Sequence, residues 1–149
     1  MSAASWLLVA AGVAVLPLES TLHLAPCPAS PNCVSTQADP SDSVHRIEPL
    51  RWPQGMTPEA VLDALEAVLA SEPRTAVVLR DGPRLEATFT SRLFRFDDDL
   101  VVVVDGATRT LHLRSAARLG QGDFGVNRRR AERLLDALAE RVGGVRGGG

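Results

Sequence analysis

The chain contains no lysine and no tyrosine, and only two of its 149 residues are cysteine. Aromatic residues make up 4% of it, so a hydrophobic core must be built mainly from valine, leucine and alanine. All sixteen basic residues are arginine, which codon bias in a GC-rich genome explains more simply than selection for planar anion contacts. The formal net charge is −2, whereas nucleic-acid-binding domains usually have an excess of basic residues. We therefore expect no nucleic-acid partner.

Charge is unevenly distributed along the chain. Residues 1–44 contain three acidic residues and no basic one, whereas residues 106–149 contain nine arginines and four acidic residues, a local charge of +5. A solvated helix face and an anion-attracting patch both explain this excess, and both remain open.

The N-terminus is apolar: residues 1–18 carry no charge, and residues 6–18 are almost wholly hydrophobic. This stretch is too short for a bilayer span, which needs about 20 residues, and is more typical of a signal peptide, although the preceding basic segment is missing. We predict that residues 1–22 form a hydrophobic leader or membrane anchor, with a helix packed on the domain as the alternative. The leader favours the cell envelope, on the periplasmic side, over the cytoplasm.

Cys27 and Cys33 lie in a proline-rich segment that favours tight turns over a helix. Such a loop can bring two Cα atoms within disulfide distance, and an exported protein would oxidise them, so we predict a disulfide. Zinc bound by these cysteines with His23 and His45 is the alternative, but the spacing is unlike that of a zinc finger. Lipidation of Cys27 is disfavoured by Pro26. We expect no metal and no cofactor.

The rest of the chain alternates between strand and helix patterns in the order β-α-β-β-β-β-α. One helix follows Thr57, a good N-cap, with Pro58 at its first position, and ends before Pro73. A second helix runs from about residue 127 to 142 and stops at two glycines. An α+β fold, with a curved antiparallel sheet packed on one or two helices, would bury both apolar stripes. The five predicted strands cover residues 44–50, 75–80, 84–94, 100–105 and 109–115.

These patterns predict a single α+β domain at residues 23–143 and a disordered tail at residues 144–149.

The segment Gly120–Gly125 has the spacing GxGxxG between a strand and a helix. No further strand follows that helix and no βαβ unit is present, so the pattern does not indicate a dinucleotide site. The glycines are better explained by a tight turn.

Three separated motifs resemble a known family. They are the segment at 26–35 (PCPASPNCVS), the segment at 94–99 (FRFDDD), and the segment at 114–130, which contains RSAARLG at 114–120 and DFGVNRRR at 123–130. Together they resemble domain-of-unknown-function family 1499 over roughly residues 25–140. The resemblance implies no activity, since none is established for the family. Family patterns have a serine where this chain has Ala117, so a role for that hydroxyl would not apply here.

The segment at 114–130 allows a structural interpretation. An ion-pair network would hold the turn on the sheet, and Asn127 would cap the last helix. In that network Arg114 or Arg118 pairs with one of three carboxylates, namely Asp98, Asp99 or Asp123.

The same segment allows a functional interpretation. Arg114, Arg118 and Arg128 would converge with Asn127 and the free N–H groups of the helix start on a carboxylate or phosphate. This predicts a non-catalytic envelope domain that binds a small anionic ligand or a protein partner. The alternatives are an enzyme that uses the aspartate cluster with arginines as electrostatic stabilisers, and a structural accessory protein.

Overall fold

The computed structural model describes residues 21–120, 122 and 125–147. The leader predicted at residues 1–22 lies outside the described residues except for its last two. No helix in the described ranges combines the length and the apolar character needed to cross a membrane. Within those ranges the elements are β1 (Cys33–Ser35), β2 (Leu50–Arg51), α1 (Pro58–Ala70), β3 (Thr75–Asp81), β4 (Arg84–Thr90), β5 (Asp97–Asp105), β6 (Thr110–Ala117), α2 (Val126–Val142) and β7 (Val145–Arg146).

The strands form one open antiparallel sheet in the order β3-β4-β5-β6-β2-β7. The outer edge of β6 has two partners, because β1 pairs with its residues 114–116 and β2 pairs with residues 110–111. Helices α1 and α2 contact each other and pack on the same sheet. The predicted α+β class, with an antiparallel sheet on two helices, is confirmed.

Helix α1 forms where the sequence predicts it. The Thr57 hydroxyl accepts a hydrogen bond from the Ala60 backbone N–H at 3.1 Å, and Pro58 occupies the first turn, where its missing N–H removes no helical bond. The buried side of the helix carries the predicted apolar stripe, at Val61, Leu62, Leu65, Val68 and Leu69.

Helix α2 begins one residue earlier than predicted, and its N-cap is Gly125 in a left-handed conformation (φ 75°), not Asn127. Asn127 lies inside the first turn and is buried, so the prediction that it caps the helix is wrong. Glycine has no Cβ and adopts this conformation without strain, which explains why the chain can turn sharply here.

The tail at residues 144–149 was predicted to be disordered, and this is wrong for Val145 and Arg146. Val145 and Arg146 form β7, which pairs with β2, and the Arg146 guanidinium bonds Asp136 and Glu132 of α2 at 2.7 Å each. These contacts require the fold to bring β2 and α2 together, so local sequence could not predict them.

Two predicted strands are shorter than expected. Within residues 44–50 only Leu50 belongs to a strand, because the Asp42 side chain accepts backbone N–H groups of Val44 and His45 and holds a turn there. Strand β4 ends at Thr90, so Leu93, which lies in the predicted strand 84–94, is in a loop and is exposed.

The sheet has two different faces. The face toward the helices is apolar and includes Leu85, Ala87 and Phe89 of β4. Because side chains alternate along a strand, neighbouring residues project to the opposite, outer face. On β6 that face carries His112 and Arg114, and the candidate site lies around them.

Candidate functional site

The interior side of the sheet contains a buried polar network. Arg130 Nη1 donates to Asp98 Oδ2 at 2.8 Å and to Asn127 Oδ1 at 3.2 Å, and Ser115 Oγ donates to the same amide oxygen. The Arg130 guanidinium also lies over the Phe89 ring, 4.4 Å from its centre. All four polar residues are buried, and in the described chain Asp98 and Asn127 bond to other members of this network.

Arg118 is held by two carboxylates at the end of β6. Its Nε donates to both Asp99 oxygens at 3.0 Å, and Nη1 donates to Asp97 Oδ2 at 3.1 Å. The Asp99 hydrogen bond and charge raise the pKa of Arg118. The predicted pairing of Arg118 with Asp99 is therefore present, and its guanidinium charge is matched.

Arg128 has different partners from Arg118. It donates to the backbone carbonyls of Ser43, Val44 and Arg46, at 2.7–3.3 Å, and so ties α2 to the turn before β2. Asp123 lies outside the described residues. The structure thus does not gather Arg118, Asn127 and Arg128 around one ligand.

Arg114 differs from these arginines. Its side chain is half-buried on the outer face, and within the described chain it makes no ion pair or hydrogen bond. The Nε atom is buried without a partner. Burial lowers the pKa of Arg114, and the charge of Asp99 partly opposes that shift.

A second arginine with an unpartnered Nε, Arg46, lies on the other side of Ser35 from Arg114. Arg46 Nη1 donates to the carbonyls of Thr36 and Ala38, and Nη2 lies 3.6 Å from Glu48 Oε2, yet its buried Nε has no partner. Ser35 stands between the two arginines, because it pairs with Arg114 in β6 and forms an isolated bridge with Arg46.

His112 completes this group. Its Nδ1 lies 3.1 Å from Thr36 Oγ, which also accepts the Leu113 backbone N–H at 3.0 Å. Burial, helped by the charge of Arg46, lowers the pKa of His112 against the opposing charge of Asp105, so the ring is neutral at pH 7. We call this group the Ser35 cluster; it consists of Ser35, Thr36, Arg46, His112 and Arg114.

An open groove of about 810 Å³ lies against the Ser35 cluster, and all its members except Arg114 line it. The other wall is the N-terminal segment at residues 22–27, which is mostly apolar. Gln37 holds this segment, because its amide accepts the Leu24 N–H and donates to the Leu22 carbonyl, both at 2.8 Å.

Three carboxylates also line the groove, and each is already bonded. Asp42 contacts His45 Nδ1 at 2.7 Å, Asp39 accepts from Ser41, and Asp105 accepts from the Thr108 hydroxyl at 2.7 Å. The hydrogen bond that His45 donates to Asp42, opposed by burial, raises the pKa of His45. The groove therefore combines an apolar wall, the Arg46 cation and three bonded carboxylates, while Arg114 lies outside its lining, across Ser35.

Cys27 and Cys33 form the predicted disulfide, with 5.7 Å between their Cα atoms. It joins the N-terminal wall of the groove to β1. Because both sulfurs are used, the alternative of zinc held by these cysteines with His23 and His45 is wrong, and the described residues contain no other cluster of potential metal ligands. A disulfide is typical of proteins in an oxidising, exported location.

The sequence pattern missed most of the Ser35 cluster. Arg46 lies in the segment 44–50, which the pattern predicts as a strand and which does not form one at that residue, and the pattern gives no reason to single out Ser35, Thr36 or His112. The one sequence signal for this cluster is the motif at residues 26–35, which contains Ser35. No local pattern could show that β1 lies between residue 46 and β6.

Comparison with known proteins identified a family but no activity. A family model described as "Protein of unknown function (DUF1499)" matches residues 23–138. No curated protein shows significant similarity to the chain. Among solved structures, the chain is similar to the crystal structure of TTHA0849 from Thermus thermophilus, at 18% identity and a TM-score of 0.32, over 74% of this chain and 96% of that one.

Proposed function

The chain belongs to the DUF1499 family, whose description names no activity, and we propose that it is an exported, non-catalytic domain that binds a small amphiphilic anion at the Ser35 cluster. The observation on which this depends is the pair of buried, unpartnered Nε atoms of Arg46 and Arg114 on either side of Ser35.

A buried donor without a partner costs free energy, because it has lost water and gained nothing. Folded proteins retain few such groups, and in this proposal the two Nε atoms on either side of Ser35 are donors that a bound anion would satisfy. A carboxylate or phosphate beside Ser35 would form charge-assisted hydrogen bonds with Arg46, and Arg114, which does not line the groove, would reach it by a rotation of its side chain. When the Thr36 hydroxyl donates to His112 Nδ1, the ring proton of His112 lies on Nε2. The Nε2–H group is then an uncharged hydrogen-bond donor for the anion.

The lining of the groove restricts the ligand further. Leu22, Leu24 and the following proline form an apolar wall that suits a hydrocarbon or ring system. The carboxylates of Asp39, Asp42 and Asp105 would repel additional negative charge, so a ligand with a single anionic group fits better than a polyanion. A carboxylic acid or phosphate monoester with an apolar body satisfies all these features.

The alternative enzyme hypothesis requires a carboxylate that is free to act. Asp98 is bonded to Arg130 and Asp99 to Arg118, and neither points into the groove. This pairing favours binding over acid–base catalysis. A location in the cell envelope, supported by the disulfide and the apolar leader, stays part of the proposal.

Titration calorimetry with decanoate and decyl phosphate tests the proposal, with decanol as the uncharged control and inorganic phosphate as the headgroup control. We expect both amphiphiles to bind more tightly than decanol or phosphate. Arg114→Gln should weaken decanoate binding by roughly 10-fold or more, the effect of losing a charge-assisted hydrogen bond. Arg118→Gln is the matched control, because Arg118 lies just beyond the same strand and is occupied by aspartates.

Equal affinity for decanoate in the wild type and the Arg114→Gln variant would contradict the proposed site. Absence of binding for both amphiphiles would contradict the ligand class. Native mass spectrometry of the protein purified from its own host would then show whether another small molecule occupies the groove.

A further inference from the structure

The loop between β4 and β5, residues 91–96, exposes an unusual amount of apolar surface. Leu93 is 79% exposed, Phe94 70% and Phe96 53%. The two phenylalanine rings stack on each other with 5.8 Å between centroids instead of packing on the domain. We call residues 91–96 the apolar tip.

The apolar tip is a defined turn. The Ser91 N–H donates to the Phe96 carbonyl at 2.8 Å, and the Phe96 N–H donates to Ser91 Oγ at 2.9 Å. Arg95 adopts a left-handed conformation (φ 57°), which costs a non-glycine residue energy and reverses the chain at this point. The loop is thus built to present its side chains away from the core.

A second loop adds to the same end of the sheet. Leu119 is 70% exposed, and the backbone before it is joined to the base of the apolar tip, because the Arg118 N–H donates to the Asp97 carbonyl at 3.1 Å. Asn32 donates to the Gly120 carbonyl at 2.7 Å and holds this loop from the other side. Apolar residues of two loops therefore lie at one end of the molecule.

The charge of the tip is positive, although three aspartates follow it. Asp98 is matched by Arg130, while Asp97 and Asp99 share Arg118. Arg92 and Arg95 are exposed and form no ion pair within the described chain. These two cations exceed the one carboxylate charge that Arg118 leaves over, and they lie among three large apolar side chains.

We infer that the apolar tip docks the domain on an anionic lipid surface. Leucine and phenylalanine enter the boundary between headgroups and acyl chains, and the long apolar stems of the arginines allow their guanidinium groups to reach the phosphates. The combination of exposed aromatic residues and unmatched arginines fits a bilayer with negative headgroups, and each arginine adds electrostatic attraction there. This surface is separate from the Ser35 cluster.

A fluorescence experiment on the whole chain reports insertion at the tip itself. Phe94→Trp is mixed with vesicles of phosphatidylcholine and phosphatidylglycerol in which the acyl chains are brominated, so that only a tryptophan in the bilayer is quenched. Val44→Trp is the matched control, because Val44 is exposed outside both loops. The native Trp6 and Trp52 contribute equally to both variants, and the parent signal is subtracted.

We expect quenching of the Phe94→Trp signal with anionic vesicles, and little with phosphatidylcholine alone or with Val44→Trp. The double variant Phe94→Ser/Phe96→Ser should bind anionic vesicles at least about 10-fold less tightly. Arg92→Gln and Arg95→Gln should each weaken binding by about five-fold at low salt. An unquenched Phe94→Trp signal would overturn the inference even if the leader bound the vesicles, and so would unchanged binding by the serine variant.

Discussion

Arg130 of α2 and Asp98 of β5 form an ion pair inside the domain, with 2.8 Å between Nη1 and Oδ2 and both side chains almost completely buried. Asn127 accepts from the same Nη1, and the Phe89 ring covers the guanidinium group. The pair joins the last helix to the central part of the sheet. It is enclosed, so its charges cannot be compensated by water when one partner is removed.

Replacement of Asp98 by asparagine should destabilise the protein strongly. The variant leaves the Arg130 cation buried without its counter-charge, which typically costs about 3–5 kcal/mol. Urea denaturation at neutral pH measures the change. The double variant Asp98→Leu/Arg130→Met should recover much of the loss, because it removes both charges together.

The matched control is Asp99→Asn on the same strand, one residue away. Asp99 bonds the exposed Arg118, and water can replace that contact, so a much smaller effect is expected. Similar losses for Asp98→Asn and Asp99→Asn would show that burial of the Arg130 pair is not what makes it important.

Replacement of Arg114 by methionine should stabilise the protein in the absence of ligand. The variant keeps most of the packing of the side-chain stem and removes a buried Nε that has no partner, for an expected gain of about 1 kcal/mol. Thermal and urea denaturation of the ligand-free protein measure it. A clear loss of stability would show instead that Arg114 has a structural role.

The disulfide should contribute measurably to stability. Cys27 and Cys33 are six residues apart, and cross-linking so short a loop removes unfolded-state entropy worth about 2 kcal/mol. The double variant Cys27→Ser/Cys33→Ser should lose roughly that amount. Alkylation without reductant should add no mass to the native protein; two readily alkylated thiols would refute the bond.

His112 should make the protein less stable at acidic pH. Burial lowers its folded-state pKa below the unfolded value of 6.5, with Arg46 acting in the same direction and Asp105 against it. The unfolded chain then takes up the proton more readily than the folded chain. The stability that neutral His112 contributes is present in full above pH 6.5 and is lost as the pH falls through the folded-state pKa. His112→Asn should therefore lose less stability than the wild type between about pH 7.5 and 5.

His45 provides the contrast, because its folded-state pKa is raised. The hydrogen bond to Asp42 is the main cause, aided by the Ser30 carbonyl and opposed by burial and the charge of Arg128. Its stabilisation is complete below pH 6.5 and is lost as the pH rises through the folded pKa. His45→Asn should thus cost more at acidic than at alkaline pH, and parallel pH profiles for the two variants would contradict both assignments.

Local patterns predicted the elements whose stability comes from nearby residues. The Thr57 cap and the apolar spacing of α1 are short-range features, and the alternation in β4 follows from one buried face. The pattern failed where a side chain competes with regular structure. Asp42 accepts the backbone N–H groups of Val44 and His45, and so a turn forms at the start of the predicted strand 44–50. It failed again at Val145, whose strand exists only because β2 is beside it.

By itself the sequence determined the fold class, the two helices, the central strands and the pairing of Cys27 with Cys33, because each depends on periodicity or on residues close in the chain. The tertiary structure alone decided which arginines are occupied. Arg118, Arg128 and Arg130 belong to one segment of similar composition, yet each meets partners brought from distant strands or loops. Arg114 is left without one, because strand alternation places it on the outer face, where no carboxylate of the described chain lies within ion-pair distance.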